Sequence, residues 1–216
     1  MIKLEKIKST PIPTLKRLTR YLSVIHQLKE SKTDYISSTE IANIMGLDPI
    51  QVRKDLEFTG ISGFPRLGFK IDDLHFAIKE ILNWNNTEDA FLVGAGSLGQ
   101  AILGYDRFKS CGLKIIAGFD INPELIGKKI SNIEIYHINK IPNLIKRLNV
   151  KIGIICVPAS SAQDVVDLMV DNGILALWNF APIHVNVPSD IIIENAQLSQ
   201  SLGILTHKLA EKIKAY

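Results

Sequence analysis

The run Ala90-Phe91-Leu92-Val93-Gly94-Ala95-Gly96-Ser97-Leu98-Gly99 decides how most of this chain is read. An apolar strand enters Gly94-x-Gly96-x-x-Gly99, and a helical pattern leaves it, from Leu98 to Lys109. About twenty residues past the last glycine, a second apolar run, Leu113 to Phe119, ends in Asp120. Strand, glycine loop, helix, strand and acid in that order are the layout of a dinucleotide-binding βαβ unit. Gly94 is expected to permit the sharp turn, Gly96 to let backbone approach a pyrophosphate, and Gly99 to admit close helix packing. The helix start offers unpaired N–H groups to the phosphates. Asp120 is expected to accept hydrogen bonds from ribose hydroxyls, and its charge opposes a 2′-phosphate, which favours NAD(H) over NADP(H). The alternative ligand is CoA or another nucleotide on the same fold.

Downstream, apolar strands alternate with helices. Strands are expected at 90–93, 114–119, 134–136, 152–156, 175–178 and 191–193. Helices are expected at 98–109, 141–148 and 160–172, the last with Ser161 as a capping residue. This alternation predicts a doubly wound parallel sheet with ligand at the carboxyl ends of its strands. At those ends lie Ile121, Val157-Pro158 and Asn179-Phe180-Ala181-Pro182, suited to covering a ring rather than reacting it. His137, His184 and His207 are scattered and form no acid–base pattern. A final helix, about 197–213, puts Leu198, Leu202, Leu205 and Leu209 on one face, which needs an apolar partner in its own or another chain.

The residues before this unit read as a second domain, 1–85, with 86–216 forming the nucleotide domain. Pro13-Thr14 opens a helix whose Leu15, Leu18, Leu22, Ile25 and Leu28 share a face. Ser37-Ser38-Thr39-Glu40 fits a capping box that starts a short helix with Ile41, Ile44 and Met45 inward, and Gly46 suits its left-handed end. Asp48 can cap the next helix, with Pro49 at its first position and Gln51 at its third. Two short helices joined by a glycine turn make a helix-turn-helix, about 14–57. Its second helix presents Gln51 for adenine and Arg53 for guanine, while Lys54 suits a base or a phosphate. Gly60 to Ile71 reads as a β-hairpin wing with Arg66 near its tip, poised for a minor groove. Ser38 and Lys16 complete the candidate DNA-binding set. A small helical domain that binds protein is the alternative. Ile71 to Asn83 reads as a further amphipathic helix.

Composition sets bounds around this reading. The chain has 216 residues, 46% of them hydrophobic, and a formal net charge of only +3. Charge is uneven, however: between Met1 and Lys32 eight basic residues face two acidic ones, which suits contact with a phosphate backbone. Cys111 and Cys156 have neither disulfide-framework nor zinc spacing, so no metal is expected. A charged start without an apolar core, and no run of membrane-spanning length, predict a cytoplasmic protein.

Five segments together resemble the Rex family of redox-sensing transcriptional repressors over nearly the whole chain. They are Gln51–Leu56, Val93–Gly99, Phe119-Asp120-Ile121-Asn122-Pro123, Val157-Pro158-Ala159 and Trp178–Pro182, in family order. The resemblance implies a homodimer with an N-terminal winged helix and a C-terminal Rossmann domain. It implies operator binding when NADH is low and release by NADH, with NAD+ permitting binding. It implies that Phe180 lies near the nicotinamide, and that Tyr105 and Arg17 belong to the dimer and switch contacts. The final helix, with Leu198, Leu202 and Leu205, would cross to the partner subunit. This chain departs from the common pattern at Ser97 and Asn179, which bears on how the two nicotinamide states are told apart, and at Thr19 and the wing segment Phe64-Pro65-Arg66-Leu67, which leaves the operator read open. Two rivals remain at this point: an NAD-dependent oxidoreductase with an N-terminal interaction domain, for which a proton donor is missing, and a winged-helix regulator that answers to a CoA-like ligand.

Overall fold

The computed structural model describes residues 10–31, 33–196 and 198–214. Lys3, Lys6, Lys8 and Lys32 of the basic segment, Gln197 and the side chain of Leu198 lie outside the described residues. The chain divides into two compact units, Met1–Asn86 and Thr87–Tyr216.

The first unit runs α1 (Ile12–Glu30), β1 (Tyr35–Ile36), α2 (Ser38–Met45), α3 (Pro49–Glu57), β2 (Phe69–Lys70) and α4 (Ile71–Ile81). The local signals act as expected. Glu40 N–H donates to Ser37 Oγ at 3.1 Å while Ser37 N–H donates to Glu40 Oε2 at 2.7 Å, a complete capping box. Gly46 ends α2 with φ 63°, and Asp48 caps α3 by accepting from Ile50 N–H at 2.6 Å. The core gathers Leu18, Tyr21 and Ile25 of α1, Ile41 of α2, Val52 and Leu56 of α3, and Leu74 and Ile78 of α4. Ile44 departs from expectation: Ile41 and Ala42 face inward and Ile44 stays exposed at the edge of that face.

The wing also differs in construction. The hairpin is short, closed by the Phe64–Gly68 bridge around Pro65-Arg66-Leu67, and β2 pairs with β1, which lies between α1 and α2. Gly68 lies so close to the Ile36 carbonyl that a side chain there would overlap it, which seats the wing against β1.

The second unit runs β3 (Glu88–Val93), α5 (Ser97–Leu103), α6 (Arg107–Ser110), β4 (Leu113–Asp120), β5 (Lys129–Ile130), β6 (Ile133–His137), a 3-10 turn (Ile138–Lys140), α7 (Ile141–Leu148), β7 (Ile152–Ile155), α8 (Ala159–Asp171), β8 (Ala176–Asn179), β9 (Ile192–Asn195) and α9 (Leu198–Lys214). Its seven strands lie in the order β5-β6-β4-β3-β7-β8-β9. Counting β3 as first and leaving out the edge strand β5, this is the Rossmann order 3-2-1-4-5-6. All pairs are parallel except β5–β6, a hairpin turned by Ser131 and Asn132 at positive φ. The sheet is covered on both sides, which is why its strands read as continuous apolar runs. Phe91 and Val93 of β3 face the layer that holds Ile145 of α7 and Met169 of α8. Ala90 and Leu92 face Ile102 and Leu103 of α5.

Two helix expectations need correction. The single helix expected over 98–109 is two, α5 and α6, broken at Gly104-Tyr105-Asp106. Gly104 weakens the helix there, and Tyr105 N–H bonds back to Ile102 rather than one residue further. Ser161 does not cap α8, because Pro158 fixes the entry and the helix is already under way at Ala159. The apolar face of α9 finds no cover among the described residues: Leu202, Leu205 and Leu209 are all more than half exposed.

Candidate nucleotide site and DNA-binding surface

The order of strands reverses at β3, so a crevice opens between the carboxyl ends of β3 and β7. The glycine loop is fastened to both neighbours there. Gly94 N–H donates to the Phe119 carbonyl at 2.8 Å, and Cys156 N–H donates to the Val93 carbonyl at 2.8 Å. Gly94 has φ 95°, and a Cβ on it would lie 2.5 Å from the Cys156 carbonyl oxygen. Gly99 is as strictly confined, since a Cβ there would drive into the Gly94 carbonyl. Gly96 is different. A Cβ there meets nothing within 4 Å, so its bareness serves open space at the mouth of α5. Gly96, Ser97 and Leu98 are exposed, while Ala95 and Gly99 are buried.

Asp120, at the end of β4, reaches back to this loop. Its Oδ2 accepts from Ala95 N–H at 2.6 Å and its Oδ1 from Asn122 N–H at 2.8 Å. The carboxylate and the loop are therefore one structure, with Ile121 exposed beside it. Val157 and Pro158 follow β7 on the far side of the crevice, Pro158 at the entry to α8. Burial pushes the Cys156 thiol up to about 12, so it stays protonated at neutral pH.

Phe180 follows β8, its N–H bonded to the Ile155 carbonyl at 2.9 Å. Its ring belongs to a series that sequence did not suggest. Ring centroids run Phe180–Trp178 at 4.7 Å, Trp178–Phe108 at 5.3 Å and Phe108–Tyr105 at 4.8 Å. The half-exposed Tyr105 is thus connected through α6 and β8 to the rim of the crevice. Asn179 ends β8, at the carboxyl edge of the sheet as expected. It is buried, its Nδ2 donates to the Ile183 carbonyl and to Asn195 Oδ1, and its Oδ1 accepts from Ala181 N–H. Its side chain thereby shapes the Ala181-Pro182 loop from within.

In the first unit, Gln51, Arg53, Lys54, Arg66 and Lys16 are exposed. Arg66 stands at the wing tip with φ 66°. Ser38, in the first turn of α2, is largely buried. Arg17 pairs within its own unit. Its Nε and Nη2 donate to Asp55 Oδ2 and Oδ1 at 2.6 and 2.7 Å, a pairing inside this unit. Thr14 Oγ1 and Tyr21 Oη donate to the same carboxylate at 3.1 and 2.7 Å. Burial opposes ionisation of Asp55, but hydrogen bonds from Arg17, Tyr21 and Thr14 outweigh it and hold the carboxyl below its ordinary range. A signal for this cluster was present: Asp55 shares a helix face with Val52 and borders Leu56, and an acid on a buried face needs partners.

Among the described residues no group of three or more His, Cys, Asp or Glu could hold a metal ion, and no helix is long and apolar enough to cross a membrane. A helix-turn-helix with a wing, joined in one chain to a Rossmann crevice, defines a nucleotide-responsive DNA-binding regulator. A family model for a CoA binding domain matches residues 85–183, and one for a DNA-binding protein N-terminus matches residues 9–57. The chain is 40% identical to the redox-sensing transcriptional repressor Rex of Clostridium botulinum, covering 94% of this chain and 97% of that one. RSP, a Rex-family repressor, is similar in structure. Its complex with β-NAD+ and operator DNA matches at TM-score 0.87 and 37% identity over 94% of this chain and 93% of that one. Its complex with β-NADH matches at TM-score 0.86 and 36% identity over 94% and 96%. The chain belongs to the Rex family of redox-sensing transcriptional repressors.

Proposed function

We propose that this protein binds operator DNA through α3 and the wing when NADH is low, and leaves it when NADH fills the β3–β7 crevice. The observation that carries this reading is the pairing, in one chain, of an exposed Gln51-Arg53-Lys54 helix face with a glycine loop bonded to Asp120. The relative RSP, solved with operator DNA and with both nicotinamide states, supports it. Residues 1–85 act as the winged-helix DNA-binding domain, and 86–216 as the NAD(H)-binding and dimerisation domain. Gly94 to Gly99 and Asp120 hold the adenosine and pyrophosphate. Phe180, Val157 and Pro158 flank the nicotinamide, and Asn179 acts indirectly by setting the loop that Phe180 opens. Tyr105 answers through the ring series.

The chain works as a homodimer in the cytoplasm and is not an enzyme. Its uncovered α9 face, with Leu202 and Leu205, crosses to the partner subunit, and Leu198 continues that face. Arg17 contributes by orienting α1 against α3. Each ligand acts through its differential affinity for the bound and released states. A CoA-like ligand is the second reading, favoured by the name of the matching family model. An acid at the end of β4 beside the glycine loop is the position that meets an adenosine ribose in NAD(H) sites, which supports NADH over it.

Fluorescence anisotropy on a palindromic operator, titrated with NADH, NAD+ and CoA at fixed salt, tests the proposal. NADH is expected to release the DNA where NAD+ and CoA do not; indifference to NADH would sink it. Affinity should also fall steeply with salt, as phosphate contacts require. Asp120→Ala is expected to weaken NADH binding at least tenfold while DNA affinity without nucleotide holds, since Asp120 lies in the other unit from α3. Unchanged NADH affinity in that variant would remove the ribose from Asp120.

A further inference from the structure

Gln51 is exposed near the start of α3, yet half of its amide is already committed. Its Nε2 donates to Asp55 Oδ1 at 3.2 Å, one turn along the same helix. Asp55 is held ionised by Arg17, Tyr21 and Thr14. A carboxylate only accepts hydrogen bonds. The amide nitrogen of Gln51 must therefore face Asp55, and its oxygen must face outward. A free glutamine on a recognition helix turns either way and so suits either amino or keto groups on a base edge. Here the charge of Asp55 removes that freedom.

We infer that Gln51 reads an amino group of its base, adenine N6 or cytosine N4, in preference to the keto groups of guanine and thymine, with Asp55 as the positioning residue that sets this preference by occupying one of the two amide N–H groups and turning Oε1 outward. The chemistry follows from the major groove. Adenine N6 and cytosine N4 donate, whereas guanine O6 and thymine O4 accept. An outward Oε1 meets the first pair with a hydrogen bond and the second with two opposed lone pairs. An adenine-to-guanine change keeps N7 and turns that base's amino group into a keto group while its partner changes from thymine to cytosine, so the part of the change that Gln51→Ala abolishes is the choice Gln51 makes. The inference rests on the reading of α3 as the recognition helix, and it adds what limits that helix's choice of bases.

Selection from a randomised duplex library by the full-length wild type, Gln51→Ala and Asp55→Asn tests it, followed by anisotropy on the selected half-site and its single-base variants. For the wild type, one pair in each half-site should favour the amino base over the keto base by roughly tenfold or more. Gln51→Ala should make that one pair degenerate and leave the others unchanged. Asp55→Asn carries an amide that can donate to Gln51, so the Gln51 amide can turn over. Keto bases should then enter at the same pair while the salt dependence of binding stays as it was. A merely structural loss would weaken all pairs together. If Asp55→Asn does not fold, the wild type and Gln51→Ala still decide the matter. A keto base at the Gln51-dependent pair, or no pair that depends on Gln51, overturns the inference. Wild-type protein that selects no duplex at all takes down the repressor reading itself.

Discussion

Asp55→Ala is expected to destabilise the N-terminal unit by about 3–5 kcal/mol, because it leaves a buried pair with one partner. Asp55 is 1% exposed and Arg17 only 23%, so solvent does not repair the loss. The guanidinium forfeits both of its bonds to the carboxylate, and the hydroxyls of Thr14 and Tyr21 forfeit one each. All three donors are on α1, whereas Asp55 is on α3, so the variant also frees the recognition helix from the helix that orients it. Unfolding in urea, followed by Trp84 in a Trp178→Phe background, checks this, because Trp84 packs on the core of that unit. A midpoint within error of the wild type would show that the cluster carries no stability. The same pair predicts a pH dependence. The carboxyl of Asp55 titrates lower in the folded protein than in the unfolded chain. Its contribution is therefore full above the unfolded value of about 3.9 and is lost as pH falls through the folded value. Asp55→Ala should flatten this acid limb of the stability curve.

Gly94→Ala is the second large effect, and it is read best beside Gly96→Ala. At Gly94 an alanine must hold φ 95°, a strain of about 1–3 kcal/mol, with its Cβ 2.5 Å from the Cys156 carbonyl oxygen. Overlap of that kind in a packed interior costs about 1–3 kcal/mol more. The loop has no easy way to move, since hydrogen bonds tie it to β4 and β7 on either side. Gly94→Ala should lower both the thermal stability of the second unit and its NADH affinity, the latter at least tenfold. Gly96→Ala meets no atom within 4 Å and should leave stability unchanged while still lowering NADH affinity, because its methyl group occupies the approach. Scanning calorimetry and NADH fluorescence titration separate the two. Equal stability in both variants would show that Gly94 is not under strain, and normal NADH affinity in both would move the pyrophosphate elsewhere.

Much of this protein is legible along the chain because its decisive signals are local. The capping box at Ser37 and Glu40, the left-handed Gly46 and the Asp48 cap each complete within a few residues, and each forms as read. The glycine loop is local in the same sense. Gly94 needs its positive φ and Gly99 its lack of a side chain for reasons set by the turn itself. Edges and interruptions were less legible. The two-residue strand β5 is too short to show a period, and the break at Gly104 is a single glycine between two segments that are each helical.

What the sequence by itself determined was therefore the kind of each domain and the loop that meets a nucleotide, since these depend on backbone chemistry within a turn or two. What only the tertiary structure decided was the duty of the polar side chains. Ser38 is turned inward, Asn179 is bound into its own loop, and Arg17 is paired with Asp55, thirty-eight positions away. Asp55 in turn directs the amide of Gln51. The Tyr105–Phe108–Trp178–Phe180 rings likewise meet only after β8 is laid in the sheet beneath α6. The physical reason is that a buried polar or aromatic group takes its partner from whatever the fold brings within reach, and sequence separation places no limit on that choice.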